Sequence, residues 1–171
     1  MLLAVTLRLP PEPERDETPH ERADRNLVEL LNELRVALPG VQVLFAFLLI
    51  VPFNAGYGRM SQFDRKLYFG VLLCTALASI LLIAPSMHHR IEFRKHDKEY
   101  LVVTANRLTI AGLSVLAVAM TGAILLITHV LFGTVESVIT TVVVAGGFGV
   151  VWYAIPLRRV AAVKRYRAEQ E

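Results

Sequence analysis

Charge is missing from three long stretches of this 171-residue chain. No Asp, Glu, Lys or Arg occurs in residues 67–85, 108–134 or 137–157. An apolar helix of about 20 residues, rising about 1.5 Å per residue, crosses the roughly 30 Å hydrocarbon core of a bilayer. Hydrophobic residues make up 54% of the chain and charged residues only 19%, which excludes an ordinary soluble domain.

Cysteine and recognisable catalytic motifs are also scarce. Cys74 is the only cysteine, so an intramolecular disulfide is excluded. The sequence has no Gly-rich nucleotide loop, catalytic triad, zinc-ligand spacing or haem-binding pair. We therefore expect no enzymatic activity, no cofactor and no metal. Because the bases flank apolar runs, the basic balance indicates membrane lipid as a partner and not nucleic acid.

The apolar runs predict an all-α membrane protein with four transmembrane helices, of which helices one and three extend into the cytoplasm. The predicted spans are residues 36–53, 66–85, 107–132 and 135–157, within a membrane domain at 21–160. The predicted cytoplasmic overhangs are residues 21–38 and 97–107. The Pro- and Glu-rich segment 1–20 predicts a disordered tail, and 161–171 a basic cytoplasmic tail with a short helical start.

Local signals place the ends of these helices. Thr18 as N-cap, Pro19 in the first turn and Glu21 as capping-box partner predict the start of the first helix, with Asp24 as an alternative cap. Pro39 predicts a kink in that helix where it meets the membrane. The second helix is expected to end near Pro85, before a basic loop with three histidines.

The distribution of Lys and Arg predicts the orientation. An even number of spans puts both termini on one side, and 15 of the 18 bases fall on that side. The other side holds only Arg59, Arg65 and Lys66. Since cytoplasmic segments are enriched in Lys and Arg, both termini are predicted to be cytoplasmic, in a bacterial inner membrane.

The two overhangs carry opposite charge. Residues 12–33 hold eight acids and three bases, whereas residues 88–107 hold five bases and three acids. This predicts a packed cytoplasmic collar, within or between subunits. Its candidate residues are Glu29, Glu33, Arg35, Arg94 and Lys98. The alternative, a first helix lying flat on the inner leaflet, is disfavoured because its acidic face would meet a negative surface.

A polar stripe recurs every seven residues along the third predicted helix: Arg107, Ser114, Thr121 and Thr128. Seven residues turn a helix almost two full turns, so the four lie on one face. Such a stripe can line a water-filled path for a monovalent cation, or it can allow close helix packing. Gln42, seven residues after Arg35, can join this stripe through a hydrogen bond or form a pore ring in an oligomer.

Histidines and one acid form two further candidate groups. His88, His89 and His96 are candidates for pH sensing because imidazole titrates near neutral pH, although they can equally be loop residues without a role. His129, Glu136 and Thr140 are candidates for an outer mouth. An acid at a helix N-terminus is also explained by the helix dipole alone. No Asp, Glu, Lys or Arg lies deep in a predicted span, which argues against a proton-coupled carrier.

Three segments resemble a known family: ELLNELRVALPGVQVLFAFLLIVPF at 29–53, LLCTALASILLIAPSMHHRIEFR at 72–94 and KEYLVVTANRLTIAGL at 98–113. They are similar to small bacterial four-helix membrane proteins common in actinobacteria, classed as a domain of unknown function. The resemblance covers about residues 20–160. It implies the four-helix topology, and some members carry the automatic label sodium:proton antiporter.

Two functions are consistent with these features. The first is a homo-oligomeric, ion-conducting or transport-related membrane protein with a cytoplasmic collar, suggested by the polar stripe and by small residues such as Ala145 and Gly149. The second is a non-conducting structural or accessory protein that binds lipid or a partner protein through the collar.

Overall fold

Helices make up almost all of the part of the chain that a computed structural model describes, residues 18–92 and 98–168. The helices are α1 (Pro19–Ile50), α2 (Gln62–Glu92), α3 (Lys98–Phe132), α4 (Thr134–Phe148) and α5 (Ile155–Ala168). Two short 3₁₀ turns lie between α1 and α2, and a π-helical segment at Gly149–Ala154 joins α4 to α5. No strand occurs in the described residues.

Four helical segments are long and apolar enough to cross a membrane. They are Asp24–Phe53, Gln62–Ile91, Tyr100–Phe132 and Thr134–Val163. The all-α, four-helix class predicted from the charge-free runs is therefore confirmed. Because consecutive helices run in opposite directions, α1 and α3 begin at one end of the bundle, here called the N-terminal end. The other, called the loop end, holds residues 51–61 and Gly133.

The predicted start of α1 is confirmed as a capping box. Glu21 N donates to Thr18 Oγ1 over 3.3 Å, while Thr18 N donates to Glu21 Oε2 over 2.9 Å. Pro19 occupies the first turn, where its missing N–H has no intrahelical partner to lose. Local chemistry alone thus sets this boundary.

The core is a seam between α2 and α3 with a seven-residue repeat. Buried positions advance by four and three residues along both helices, as in coiled coils, where helices cross at about 20°. On α2 they are Asp64, Tyr68, Val71, Thr75, Ala78, Leu82 and Pro85. On α3 they are Ala105, Thr109, Gly112, Leu116, Ala119, Ala123 and Leu126. We call this set the α2–α3 seam.

Glycine sets how closely these two helices approach. A Cβ added at Gly112 would lie 2.8 Å from Leu82, and one added at Gly122 would lie 2.7 Å from Val71. Both distances are too short for carbon atoms in contact, so the seam requires residues without a side chain there. Against this pair, α1 buries Leu27, Leu34, Val41 and Leu48, again seven residues apart.

The fourth helical segment packs differently. Among the described helices, α4 packs on α3 only, and α5 contacts only the π-helical segment that precedes it. In the most apolar stretch of Thr134–Val163 no residue is buried, whereas 33% of the corresponding stretch of Tyr100–Phe132 is buried. The bundle is therefore a three-helix core with a fourth helix attached along one side.

The predicted end of α2 is wrong. The helix continues through Pro85 to Glu92, where the sequence predicts a loop. Proline removes one backbone hydrogen bond, but Pro85 is fully buried in the α2–α3 seam, and that packing outweighs the loss. His88 and His89 consequently lie in the last turns of α2, and Arg94 and His96 fall outside the described residues.

Candidate functional site

The polar stripe of α3 faces away from α2. Ser114, Thr121 and Thr128 each follow a buried position of the α2–α3 seam by two residues, which is a rotation of about 200°. The structure shows what lies on that side, because the Ser114 hydroxyl forms a hydrogen bond with the hydroxyl of Tyr153 in the π-helical segment. The stripe therefore faces the fourth helical segment.

The opposing face of α4 is also rich in hydroxyls. Its least exposed positions follow helical spacing and are Ser137, Thr140, Thr141, Val144 and Phe148. Ser137 is only 1% exposed. Since α3 is the one described helix on which α4 packs, this face must lie against α3.

Together the two helices form what we call the hydroxyl seam. Its members are Ser114, Thr121 and Thr128 of α3, Ser137, Thr140 and Thr141 of α4, and Tyr153. Seven hydroxyls thus collect along one helix interface, whereas the α2–α3 seam contains only Tyr68, Thr75 and Thr109. Sequence spacing predicted the α3 half, but the α4 half was missed because its hydroxyls are consecutive or irregularly spaced.

Most hydroxyls of the seam are already donors within their own helix. Thr121 Oγ1 donates to the Ala117 carbonyl over 2.8 Å and Thr128 Oγ1 to that of Ile124 over 2.7 Å. A hydroxyl that donates its proton keeps oxygen lone pairs that can accept a hydrogen bond or bind a cation. Thr141 differs, since its Oγ1 is buried and has no hydrogen-bond partner among the described residues. An unpartnered buried hydroxyl carries a desolvation cost that water or a bound ion would relieve.

The π-helical segment widens the helix where the seam reaches Tyr153. π-helical turns are rare and are frequent at functional sites. Trp152 packs edge-on against Phe148, with ring centroids 4.9 Å apart, which links the π-helical segment to the end of α4. An added Cβ at Gly146, Gly147 or Gly149 would meet nothing within 4 Å. This part of the helix therefore has a smooth and unoccupied surface.

At the loop end, the histidine predicted for an outer mouth pairs with a carboxylate instead. His129 Nδ1 lies 2.7 Å from Asp64 Oδ1. Asp64, only 5% exposed, also accepts hydrogen bonds from the Ser61 backbone N–H and from Ser61 Oγ at 2.6 Å. Phe63 packs edge-on against the imidazole, with ring centroids 5.4 Å apart. The pair ties the start of α2 to the end of α3.

Sequence reasoning missed Asp64, which precedes the predicted second span at 66–85. The signal was present as Ser61-x-x-Asp64, a capping pattern at the start of α2. Glu136 and Thr140 remain on α4, where Glu136 is exposed in the first turn and Thr140 Oγ1 donates to the Glu136 carbonyl over 2.8 Å. His129 forms no hydrogen bond with Glu136 or Thr140 among the described residues, and an outer mouth made of the three stays a prediction.

At the N-terminal end, the two overhangs pack as predicted. Leu27, Leu30 and Leu34 of α1 share one buried cluster with Leu101 and Ala105 of α3. A groove of about 380 Å³ lies between the two helices. Its lining residues are Asn26, Glu29, Leu30, Glu33, Val102, Val103, Asn106 and Arg107. We call it the α1–α3 groove.

Among the described collar side chains, Glu29, Glu33 and Arg35 form no ion pair across this groove. Glu29 lies 3.9 Å from Arg25 on its own helix, and Glu33, Arg35 and Arg107 are exposed. The side chain of Lys98 lies outside the part that the structure describes. Apolar contacts therefore hold the overhangs together and leave the acids facing solvent.

Two sequence candidates stand apart from the hydroxyl seam. Gln42 is exposed on α1 and has no hydrogen-bond partner in residues 18–92 or 98–168, so the predicted bond to the α3 stripe is absent. His88 is half-buried, and its Nδ1 has no hydrogen-bond partner among the same residues. A pH-sensing role for His88 and His89 stays a prediction.

Four apolar helices with polar groups gathered between α3 and α4 define a multi-span helical membrane protein. Residues 16–156 match the model of a family of unknown function, DUF6328. The chain belongs to that family, which confirms the resemblance to a domain of unknown function. No curated protein and no solved structure matches the chain.

Proposed function

We propose that this membrane protein conducts a monovalent cation along the hydroxyl seam of a homo-oligomer. The observation that carries the proposal is the collection of seven hydroxyls at the α3–α4 interface, with Thr141 Oγ1 buried and unpartnered among the described residues. Hydroxyl oxygens replace part of the hydration shell of a cation without binding it as tightly as carboxylates do. No Asp, Glu, Lys or Arg interrupts the seam between Ser114 and Thr128.

Two helices cannot enclose an aqueous path, so the proposal requires a second copy of the chain. The outer face of α4 supports this requirement, because it is unoccupied and carries Gly146, Gly147 and Gly149. Small residues let membrane helices approach closely. A neighbouring helix on that face would close the hydroxyl seam against lipid.

The charges at the two ends of the seam suggest its direction. Glu136 lies exposed at the loop end, where it would attract cations, and Arg107 lies at the N-terminal end. With the excess of Lys and Arg at the N-terminal end, we place that end and both termini in the cytoplasm and the protein in a bacterial inner membrane.

Flux into vesicles tests the proposal. Purified protein in liposomes is expected to pass K⁺ or Na⁺, and Thr121→Leu is expected to abolish the flux by replacing a seam hydroxyl with a larger apolar group. Thr121→Ser keeps the hydroxyl and is expected to retain the flux. The control is Val118→Leu, which adds volume on the same helix at a residue that is 62% exposed. Equal flux in Thr121→Leu and wild type would overturn the assignment of the path.

A second function is favoured by a different observation. Ser114, Thr121 and Thr128 all donate to carbonyls of their own helix, which is also what a seam that only packs α3 on α4 requires. The protein would then be a non-conducting accessory protein that binds a partner at the N-terminal end. Vesicles that contain intact oligomer and show no cation flux at any pH would support this second function.

A further inference from the structure

Two surfaces at the N-terminal end of the bundle are unoccupied and opposite in charge. One is the α1–α3 groove, where Glu29 and Glu33 line the α1 side and Arg107 lines the α3 side, so acids outnumber bases. The other is a face of α5, where Arg158, Arg165 and Tyr166 surround a shallow depression over Ala161 and Ala162. Residues 155–168 contain no acid.

Within one chain these surfaces do not meet. α5 contacts only the π-helical segment before it, among the described elements, so its basic face is left without a partner there. Glu33, on the α1 wall of the groove, has no ion-pair partner among the described residues. Each surface is therefore available to a partner outside the chain.

The two surfaces lie at the same height along the bundle axis. Tyr153 contacts Ser114, which fixes the register of the fourth helical segment against α3. Arg158 and Arg165 lie five and twelve residues beyond Tyr153, or about 8 and 18 Å. Arg107 and Val102 of the groove lie seven and twelve residues before Ser114, or about 10 and 18 Å. Copies side by side in one membrane would thus present α5 directly to the groove.

We propose that α5 of one copy docks in the α1–α3 groove of a neighbouring copy. In parallel copies α5 runs antiparallel to α1, so Arg158 faces Glu33 and Arg165 faces Glu29. Ala161 and Ala162 between them are small enough to let α5 approach Leu30 and Val103. Desolvation of the arginine–glutamate pairs at this contact strengthens them relative to exposed pairs.

Anionic lipid headgroups are the other chemistry that a basic helix at a membrane surface attracts. The groove favours the second copy, since lipid headgroups would leave Glu33 without an opposite charge. This inference uses the association of copies from the proposed function and does not depend on conduction.

Disulfide trapping between differently tagged copies tests the docking. In a Cys74→Ala background, one tagged copy carries Ala161→Cys and the other carries Asn106→Cys, with both expressed in the same cells. Oxidation is expected to give a cross-linked heterodimer that carries both tags. The control replaces Asn106→Cys with Val28→Cys, which lies on the opposite face of α1 and is 58% exposed. Equal heterodimer formation with the control would overturn the proposal.

Charge reversal distinguishes docking from random collision. Glu33→Lys is expected to reduce the Ala161–Asn106 cross-link, and Arg158→Glu on the partner copy is expected to restore it. Failure of the second reversal to restore the cross-link would overturn the pairing. The alternative is that α5 lies on lipid. In that case no cross-link forms, and Ala161→Cys is protected from maleimide only in vesicles that contain phosphatidylglycerol, which would overturn docking. If the cross-link forms but the wild-type protein passes no cation in vesicles, the conduction proposal is rejected and the docking proposal is not.

Discussion

The three-helix core of α1, α2 and α3 and the fourth helix α4 are both strongly apolar, yet they pack differently. A third of the most apolar stretch of Tyr100–Phe132 is buried, and none of the most apolar stretch of Thr134–Val163 is. The core achieves burial with a seven-residue repeat and with two glycines that admit Leu82 and Val71. The glycines of α4, by contrast, face open space. Hydropathy alone therefore identifies a membrane span, while small residues and spacing decide whether its partner lies in the same chain.

Asp64 gives the largest expected effect and tests whether the core depends on this carboxylate, the one that is buried among the described residues. Asp64→Ala removes the hydrogen bonds with Ser61 at the start of α2 and the contact with His129 that joins α2 to α3. Because hydrogen bonds to charged groups contribute about 1.5–3 kcal/mol each, we expect a loss of about 3 kcal/mol in the free energy of unfolding. Unfolding in mixed SDS micelles measures it. Asp64→Asn keeps the shape of the side chain and should lose less free energy of unfolding. An Asp64→Ala protein as stable as the wild type would show that the core does not depend on this carboxylate.

Gly133 tests the joint between the two halves. Its φ of 99° and ψ of −169° lie in a region open essentially to glycine alone. Gly133→Ala is therefore expected to lower the free energy of unfolding by about 2 kcal/mol, through backbone strain at the start of α4. Gly58→Ala, in the other loop and with no neighbour within 4 Å, is the control. Equal unfolding midpoints for both variants would show that the turn relaxes without cost.

Matched glycine substitutions compare the two halves directly. Gly112→Ala places a methyl group 2.8 Å from Leu82, and overpacking of about 1–3 kcal/mol exceeds the helix-propensity gain of about 1 kcal/mol. We expect a net loss of about 1 kcal/mol. Gly146→Ala meets nothing in the chain and should instead be neutral or slightly stabilising for the monomer. The same sign for both variants in SDS unfolding would erase the distinction between core and attached helix.

The smallest expected effect is at the N-terminal capping box of α1. Hydrogen bonds from the Thr18 backbone and then from its side chain lower the pKa of Glu21 below the ordinary value of 4.5. A carboxylate with a lowered pKa stabilises the fold above its unfolded pKa and loses that effect as pH falls through the folded value. Amide exchange at residues 21–25 should therefore speed up below pH 4.5, relative to the intrinsic rate. Glu21→Gln should remove this pH dependence, and its persistence in that variant would assign it elsewhere.

The sequence predicted features that depend on neighbours along the chain. Thr18 and Glu21 mark the start of α1 because capping is local, and Ser114, Thr121 and Thr128 share a face because seven residues make nearly two turns. The Asp64–His129 pair was not predictable in this way, since 65 residues separate its members and nothing local couples them. The predicted end of α2 at Pro85 was wrong for a related reason. The burial of Pro85 in the α2–α3 seam is a tertiary effect that overrides the local tendency of proline to end a helix.

The low burial of α4 and α5 relative to the three-helix core implies that these two helices pack against a second copy of the chain. The most direct measurement is the mass of the purified protein in lipid nanodiscs, obtained by native mass spectrometry. We predict one defined oligomer for the wild type and monomer for Gly146→Leu, which blocks the open face of α4 without entering the core. A wild-type protein that is monomeric at every protein-to-lipid ratio would contradict the account.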